Sequence, residues 1–269
     1  MAGGADICLF ICLGGLHKSM YSFTTRVRYS EITENRKVSL LSIINYFQDC
    51  CSFESEDKGV GLDWFKEHHS VWMLTGWQIK VDRYPRYCEN IKVTTWACGF
   101  KFFVGKRNFT IENADTGELL VYAYSDWAYM NTESGYPEKN VPQKELDAYG
   151  MAEPLDKDFA TGKIIIQDID QMSAGEMIKV TKQYIDTNHH VNNEQYIAIA
   201  VSALSDDLIK RLEKLRSFRA EYKKQSVLGD ELYPFVLVKE NSGEENLLEV
   251  NVILKDKDGN TRLITEFTL

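Results

Sequence analysis

One pattern occurs twice in this chain, and it limits the possible folds more than any other feature. A strand, a break and a helix run through VRYSEITENRKVSLLSIINYF from Val27 and again through VTKQYIDTNHHVNNEQYIAIA from Val180, an offset of 180 − 27 = 153. The offset also pairs Ile32 with Ile185, Asn35 with Asn188 and Val38 with Val191. Further on, WQIKVDRYPRYCENIKV from Trp77 echoes FRAEYKKQSVLGDELYPF from Phe218, an offset of 218 − 77 = 141, which nearly aligns the turns at Asp115-Thr116-Gly117 and Asp258-Gly259-Asn260. The difference falls after the helix, where the first copy carries the insertion EDKGVGLDWFKEHHS. Repetition of this kind marks a structural unit that buries its apolar face against its twin.

Each copy reads as one strand, one long helix, then several strands. The later strands alternate apolar and polar residues, as in Leu248 to Leu254 and Leu263 to Phe267 around the Asp258-Gly259 turn. Connections this short make antiparallel hairpins rather than parallel crossovers. The second helix is expected after Asn192 as N-cap, with Gln195 at the capping-box position. Ile197, Ala200, Val201 and Leu204 give it an apolar stripe broad enough to be wrapped by a sheet. A sheet curled around a helix is the hot-dog architecture. The expected class is therefore α+β: a tandem (double) hot-dog, one long antiparallel sheet around two central helices. The expected division is residues 20–150 and 151–269, with residues 1–19 a non-structural N-terminal extension.

Composition narrows the function. A net charge of −9 disfavours duplex nucleic acid and anionic membranes as main partners. The longest apolar run, Ile7 to Leu16, falls short of the roughly 20 residues a membrane helix needs. The N-terminus lacks the basic start of an export signal, and the six cysteines form no C-x-x-C. These features place the chain in a reducing cytoplasm without disulfides or structural zinc. Gly99 to Lys106 is one residue too long for a P-loop, and no G-x-S-x-G elbow occurs.

The segment Asp186-Thr187-Asn188-His189-His190-Val191-Asn192-Asn193 carries one carboxylate, two imidazoles and three amides between a strand and a helix. The helix start offers free N–H groups and positive potential, which can hold an oxyanion and keep a neighbouring histidine neutral as a general base. Asp186 can polarise water or orient the histidine, and Asn188 can donate to a carbonyl. A polar turn with capping asparagines has the same composition, so the repeat is what discriminates. Subtracting 153 sets Thr33 opposite Asp186, Asn35 opposite Asn188 and Lys37 opposite His190. One copy keeps an acid and a base and the other lacks both, which a purely structural turn has no reason to do. A metal reading fails because adjacent histidines diverge and no further ligand motif follows.

This segment resembles the D-x-N-x-H-V-N-N signature of the acyl-acyl-carrier-protein thioesterases. Val81-Asp82-Arg83-Tyr84-Pro85 with Thr95-Trp96 is similar to the V-D-R-Y-P…T-W stretch of that family. Ser125-Asp126-Trp127 with Met130-Asn131 is similar to its S-x-W-x-x-M-N strand, and Glu221 to Ser226 to its E-Y-R-R-E-C run. The resemblance spans about Tyr21 to Leu269. It implies hydrolysis of a fatty acyl-carrier thioester with Asp186, Asn188 and His190 as catalytic residues, and with no metal or organic cofactor. The family's Glu-Cys is Gln225-Ser226 here, so a thiolate acyl-enzyme at that position is excluded and direct attack by water is favoured, with Gln225 positioning water or a partner side chain.

The oxyanion is expected on N–H groups near Asn192 and Asn193. The resemblance places the fatty acyl chain in the first copy, with Leu41, Ile44, Phe47, Trp72, Leu74 and Trp77 as candidate lining, although each also suits an ordinary core. The carrier is acidic, and Lys210 to Lys224 holds 7 − 2 = +5 charges, so Lys210, Arg211 and Lys214 are candidate docking residues. Expected partners are thus an acyl carrier protein and a fatty acyl chain, with no nucleic acid and no stable membrane insertion; a homodimer is allowed. An acyl-CoA thioesterase and a non-catalytic acyl-binding module are the alternatives. A hydroxyacyl dehydratase would need an H-F-P loop, which the chain lacks.

Overall fold

The computed structural model describes residues 20–240 and 247–269; the expected extension at residues 1–19 lies outside the described residues. The chain runs β1 (Tyr21–Arg26), α1 (Leu40–Asp57), α2 (Leu62–Glu67), β2 (Ser70–Val81), β3 (Asn90–Lys101), β4 (Val104–Asn113), β5 (Leu119–Asn131) and α3 (Gln143–Tyr149). It continues through β6 (Ser173–Ala174), β7 (Ile178–Lys179), α4 (Asn193–Ser202), α5 (Asp206–Arg211), β8 (Ser217–Tyr222), β9 (Glu231–Glu240), β10 (Leu248–Lys255) and β11 (Thr261–Thr268). All the strand pairings are antiparallel, and the sheet order is β1-β3-β4-β5-β2-β8-β11-β10-β9-β6, with β7 also on β9. This is the expected tandem hot-dog.

The two copies meet where β2 pairs with β8, and Gln78 lies opposite Arg219. Since 219 − 78 = 141, each of these residues faces its own repeat equivalent. A pseudo-twofold axis therefore passes through that pair. The hydrogen bonds repeat with the sequence. Val27 N donates to the Glu89 carbonyl at 2.9 Å, and Val180 N to that of Asp230 at 2.8 Å. Val38 N reaches the Pro85 carbonyl and Val191 N the Ser226 carbonyl, both at 2.9 Å.

α1 begins at Ser39, whose hydroxyl accepts Ser42 N at 3.1 Å. Its buried side chains Leu40, Ile43, Ile44, Phe47, Cys50 and Glu54 recur every three or four residues and face the sheet. Phe47, Trp77 and Phe109 pack with ring centroids 5.0–5.8 Å apart, as do Phe218 and Phe267 at 5.0 Å in the second copy. Each of these fully buried phenylalanines contributes about 1.5–3 kcal/mol. α4 is capped by Asn192, which accepts Glu194 N at 2.9 Å. Gln195 does not close the expected capping box; its amide donates to its neighbour Glu194 at 2.7 Å.

The connection from α3 to β6 crosses the outer face of the sheet. Trp96 of β3 donates to the Glu153 carbonyl at 2.9 Å, and Leu155 N donates to Asn108 of β4 at 3.0 Å. Phe159 packs on Tyr122 and Tyr124 of β5. Gln78 of β2 reaches the Ala160 carbonyl at 2.8 Å, and Ile164 N donates to Glu221 of β8 at 2.5 Å. The other face of the sheet stays free for the two helices.

Candidate active site

The turn before α4 is closed by its own backbone. Asp186 N donates to the His190 carbonyl at 2.8 Å, and His189 N to the Asp186 carbonyl at 3.1 Å, with Ile185 and Val191 bridged across the turn. His189 takes φ +63°, which lets the chain double back; Arg36, at φ +60°, does the same in the first copy. One carboxylate oxygen of Asp186 accepts Asn188 N at 2.8 Å and His190 N at 3.2 Å. Its other oxygen accepts no hydrogen bond among the described residues. Asp186 and His190 are half-buried and Asn188 is exposed. The His190 ring makes no hydrogen bond among the described residues, and its Nδ1 is buried.

Beside this turn lies a cavity of 490 Å³. Asn188 and Asn193 stand at its second-copy end, while Asp186 and His190 do not line it. From there it follows α1 past Gln48, Cys51 and Ser55 toward Leu146 and Tyr149 of α3, under Trp72, Trp127 and Phe100 of the sheet. Gly105 leaves room for the Trp72 ring, since a Cβ there would sit 3.0 Å from it. Of the six expected chain-lining residues, Trp72 borders this cavity. Ile44, Phe47, Leu74 and Trp77 are buried in the core, and Leu41 packs against it. The reason is the phase of α1. Its aliphatic stripe turns to the sheet, and the stripe through Gln48, Cys51, Ser52, Ser55 and Glu56 faces the cavity.

The Gln225 side chain is exposed, and its carbonyl accepts from the Arg262 guanidinium, which also reaches Asp256 at 2.9 Å. Ser226 is fully buried. Lys210, Arg211 and Lys214 are exposed, with Arg211 paired to Asp207 at 3.0 Å. Among the described residues no group of three or more His, Cys, Asp or Glu side chains is placed to hold a metal ion, and no helix is long and apolar enough to cross a membrane.

Several polar groups around the cavity were not singled out by sequence reasoning. Glu145 is fully buried and accepts Trp64 Nε1 at 2.9 Å, Trp72 Nε1 at 2.9 Å and Tyr129 OH at 2.7 Å, pinning α3 over the cavity. Glu54 is fully buried against the Arg107 guanidinium and Lys58. Glu194, in the first turn of α4, is buried, and burial raises its pKa above the usual carboxylate value. The one available signal for Glu145 was chemical: buried indole and phenol donors need acceptors.

The description "Acyl-ACP thioesterase N-terminal domain" matches residues 18–146, and "Acyl-ACP thioesterase C-terminal domain" matches residues 167–269. The chain is 26% identical over 259 residues to the chloroplastic acyl-[acyl-carrier-protein] hydrolase FATB1 of Cuphea viscosissima, covering 90% of this chain and 59% of that protein. It is 22% identical over 251 residues to the chloroplastic dodecanoyl-[acyl-carrier-protein] hydrolase of Umbellularia californica, covering 87% and 63%. The chain spans between half and three fifths of the length of the first three curated relatives, at 59%, 52% and 58%. An acyl-ACP thioesterase structure from Bacteroides thetaiotaomicron superposes with a TM-score of 0.79 at 22% identity, over 93% of this chain and 98% of that one. The 12:0-ACP thioesterase of Umbellularia californica gives 0.77 at 21% identity, over 95% of each chain.

Proposed function

The chain belongs to the acyl-ACP thioesterase family, and we propose that it hydrolyses the thioester of a fatty acyl-[acyl-carrier-protein] to a free fatty acid and the carrier thiol. The observation that carries this reading is the junction of two features: the Asp-Asn-His turn at the start of α4 stands at one end of a 490 Å³ cavity running through the first copy. The acyl chain lies in that cavity, and the thioester carbonyl lies at Asn188 and the Asn193 N–H at the start of α4; the expected donor at Asn192 is spent, since its N–H donates to the Tyr184 carbonyl at 2.8 Å and its side chain caps Glu194 N. Charge developing on the carbonyl oxygen is stabilised there by about 3 kcal/mol per well-placed donor.

Water attacks the acyl carbon. Asp186 and His190 take its proton, the C–S bond breaks, and the departing sulfur ends as the carrier thiol. General-base assistance of this kind contributes roughly 100- to 10,000-fold. The buried position of Ser226 supports a route without a covalent intermediate at that residue. Gln225 is assigned the positioning of water, through its exposed side chain. The carrier, which is acidic, docks on the exposed Lys210, Arg211 and Lys214. The reading includes a cytoplasmic location, in keeping with the free thiols of Cys50, Cys51, Cys88 and Cys98.

The test is thiol and fatty-acid release by the purified chain from matched acyl-ACP and acyl-CoA substrates, beside Asp186→Asn. The expected result is turnover of acyl-ACP that the substitution lowers by roughly 100-fold or more. Faster turnover of acyl-CoA would reassign the carrier. Tight fatty-acid binding with no turnover of either substrate would make the chain an acyl-binding module and overturn the proposal.

A further inference from the structure

The two strand-to-helix turns of the duplicated unit are finished differently. Before α4, Asp186 folds back on its own backbone, and Asn188 stands at the large cavity. Before α1, the equivalent residues Thr33 and Asn35 both donate to a single carboxylate from the second copy. Thr33 Oγ1 meets Glu213 Oε1, and Asn35 Nδ2 meets Glu213 Oε2, each at 2.6 Å. Lys37, the equivalent of His190, reaches the Glu213 backbone carbonyl at 3.4 Å, and Tyr84 OH reaches that of Leu212 at 2.9 Å. Glu213 belongs to the 3-10 turn Leu212–Lys214 that leads into β8. It borders a second cavity, of 350 Å³, whose walls include Lys37, Arg83, Arg86, Lys214 and Arg216 against the carboxylates of Asp82 and Glu213.

We infer that the first copy's turn is a carboxylate-binding site that the chain keeps filled with its own Glu213, so that the duplicated cleft is closed to carboxylates from outside. The donor set is built for that ligand: one hydroxyl and one amide, each taking a different oxygen of the same planar group at the short distances of charge-assisted bonds, inside a basic surround. A carboxylate tethered by the chain has a high local concentration, which a free one in solution cannot match. The repeat shows the asymmetry: since 213 − 141 = 72, Glu213 stands opposite Trp72, which borders the large cavity and brings no carboxylate to the second copy's turn. This inference stands whether or not the second copy hydrolyses thioesters.

The test is chemical rescue, read as melting temperature. Glu213→Ala should melt roughly 5 °C below the wild type. Sodium acetate should recover at least half of that loss, while sodium chloride at the same ionic strength should recover none. Wild type should not respond to acetate, and Asn35→Ala added to Glu213→Ala should abolish the acetate effect. Acetate that stabilises wild type and variant equally, or a variant indifferent to acetate, overturns the inference. If Glu213→Ala does not fold, Glu213→Gln supplies the reading. Its amide sets one NH₂ against a donor, so a carboxylate site requires a lowered melting temperature, and an unchanged one overturns the assignment.

Discussion

Asn193 of α4 donates its side-chain amide to Gln48 of α1 at 3.3 Å, across the boundary between the two copies. Both residues border the large cavity, so this bond ties the helix of the proposed catalytic turn to the helix along which the proposed acyl-chain cavity runs. Gln48→Ala and Asn193→Ala should each lower kcat/KM by up to about 10-fold, the scale of one neutral hydrogen bond. The double variant should be no worse than the poorer single, because both remove the same contact. Steady-state kinetics of the four proteins on one acyl-ACP decides it; fully additive losses would mean that the bond does not position the site.

Asp186→Asn and His190→Ala should each reduce kcat by roughly 100- to 10,000-fold. Asn188→Ala should reduce it by about 100-fold or more if its amide holds the oxyanion. Asp186→Asn also replaces the acceptor of two backbone N–H groups, so its melting temperature must be measured beside its activity. The His190 ring makes no hydrogen bond among the described residues, and its backbone N–H bond to Asp186 survives truncation, so His190→Ala should leave the fold intact. Retained activity in His190→Ala would remove the histidine from the mechanism.

The repeat was legible because its offsets of 153 and 141 survive in backbone hydrogen bonds, down to a left-handed residue at both Arg36 and His189. The turn before α4 was legible for the same reason: a polar segment at a helix start has few conformations open to it. The cavity was not. Its expected lining was read from apolarity, but apolarity marks the stripe of α1 that meets the sheet, where Phe47 packs on Trp77 of β2. The stripe that faces the cavity is small and polar and carries no such signal. Glu213 was similarly hidden: within Lys210 to Lys224 it counted only as one negative charge, and its ligands Thr33 and Asn35 lie 180 and 178 residues away.

Glu145 should govern both stability and chain selection. Its carboxylate is the shared acceptor of Trp64, Trp72 and Tyr129, and it holds α3 over the cavity. Glu145→Gln turns one acceptor into a donor and leaves at least one buried N–H or O–H unpaired, at about 1–3 kcal/mol. The expected result is a melting temperature lower by roughly 3–8 °C. Released-fatty-acid profiles should broaden, because a loosened α3 no longer fixes the wall of the cavity. An unchanged profile would confine Glu145 to stability.

Charge reversal should separate carrier docking from chemistry. Lys210→Glu with Lys214→Glu changes two exposed positions; Arg211 is left alone because it pairs with Asp207. KM for acyl-ACP should rise about 10-fold at low salt and converge with wild type as salt screens both. A short thioester lacking the carrier should be hydrolysed as before. Equal effects on both substrates would place the damage in the site rather than at the docking surface.

Acid should unfold the protein through two carboxylates that do not line the large cavity. Burial alone would lift the Glu89 carboxyl, but hydrogen bonds from Arg83, the Asn113 amide and the Arg86 N–H outweigh it and hold the pKa at about 2, against an ordinary 4.5. The Asn260 amide does the same for Asp256, with the Asn260 N–H, Arg262 and the Asp258 N–H, bringing it to about 2 from 3.8. A folded pKa below the unfolded one stabilises the fold above the unfolded value and loses that contribution as pH falls toward the folded one. Stability should therefore decline between about pH 4.5 and pH 2. Buried Glu194 and half-buried Glu266 act in the opposite sense, since desolvation raises both, and they weaken the fold as pH rises through the ordinary carboxylate range and above it. Glu89 is partly solvated, so screening reduces its share to about 1 kcal/mol. Urea midpoints between pH 7 and pH 2.5 should show Glu89→Gln less stable than wild type at neutral pH. The two should converge in acid, where wild-type Glu89 is losing its charge as well. Parallel curves across that range would mean that the Arg83 cluster does not drive acid unfolding.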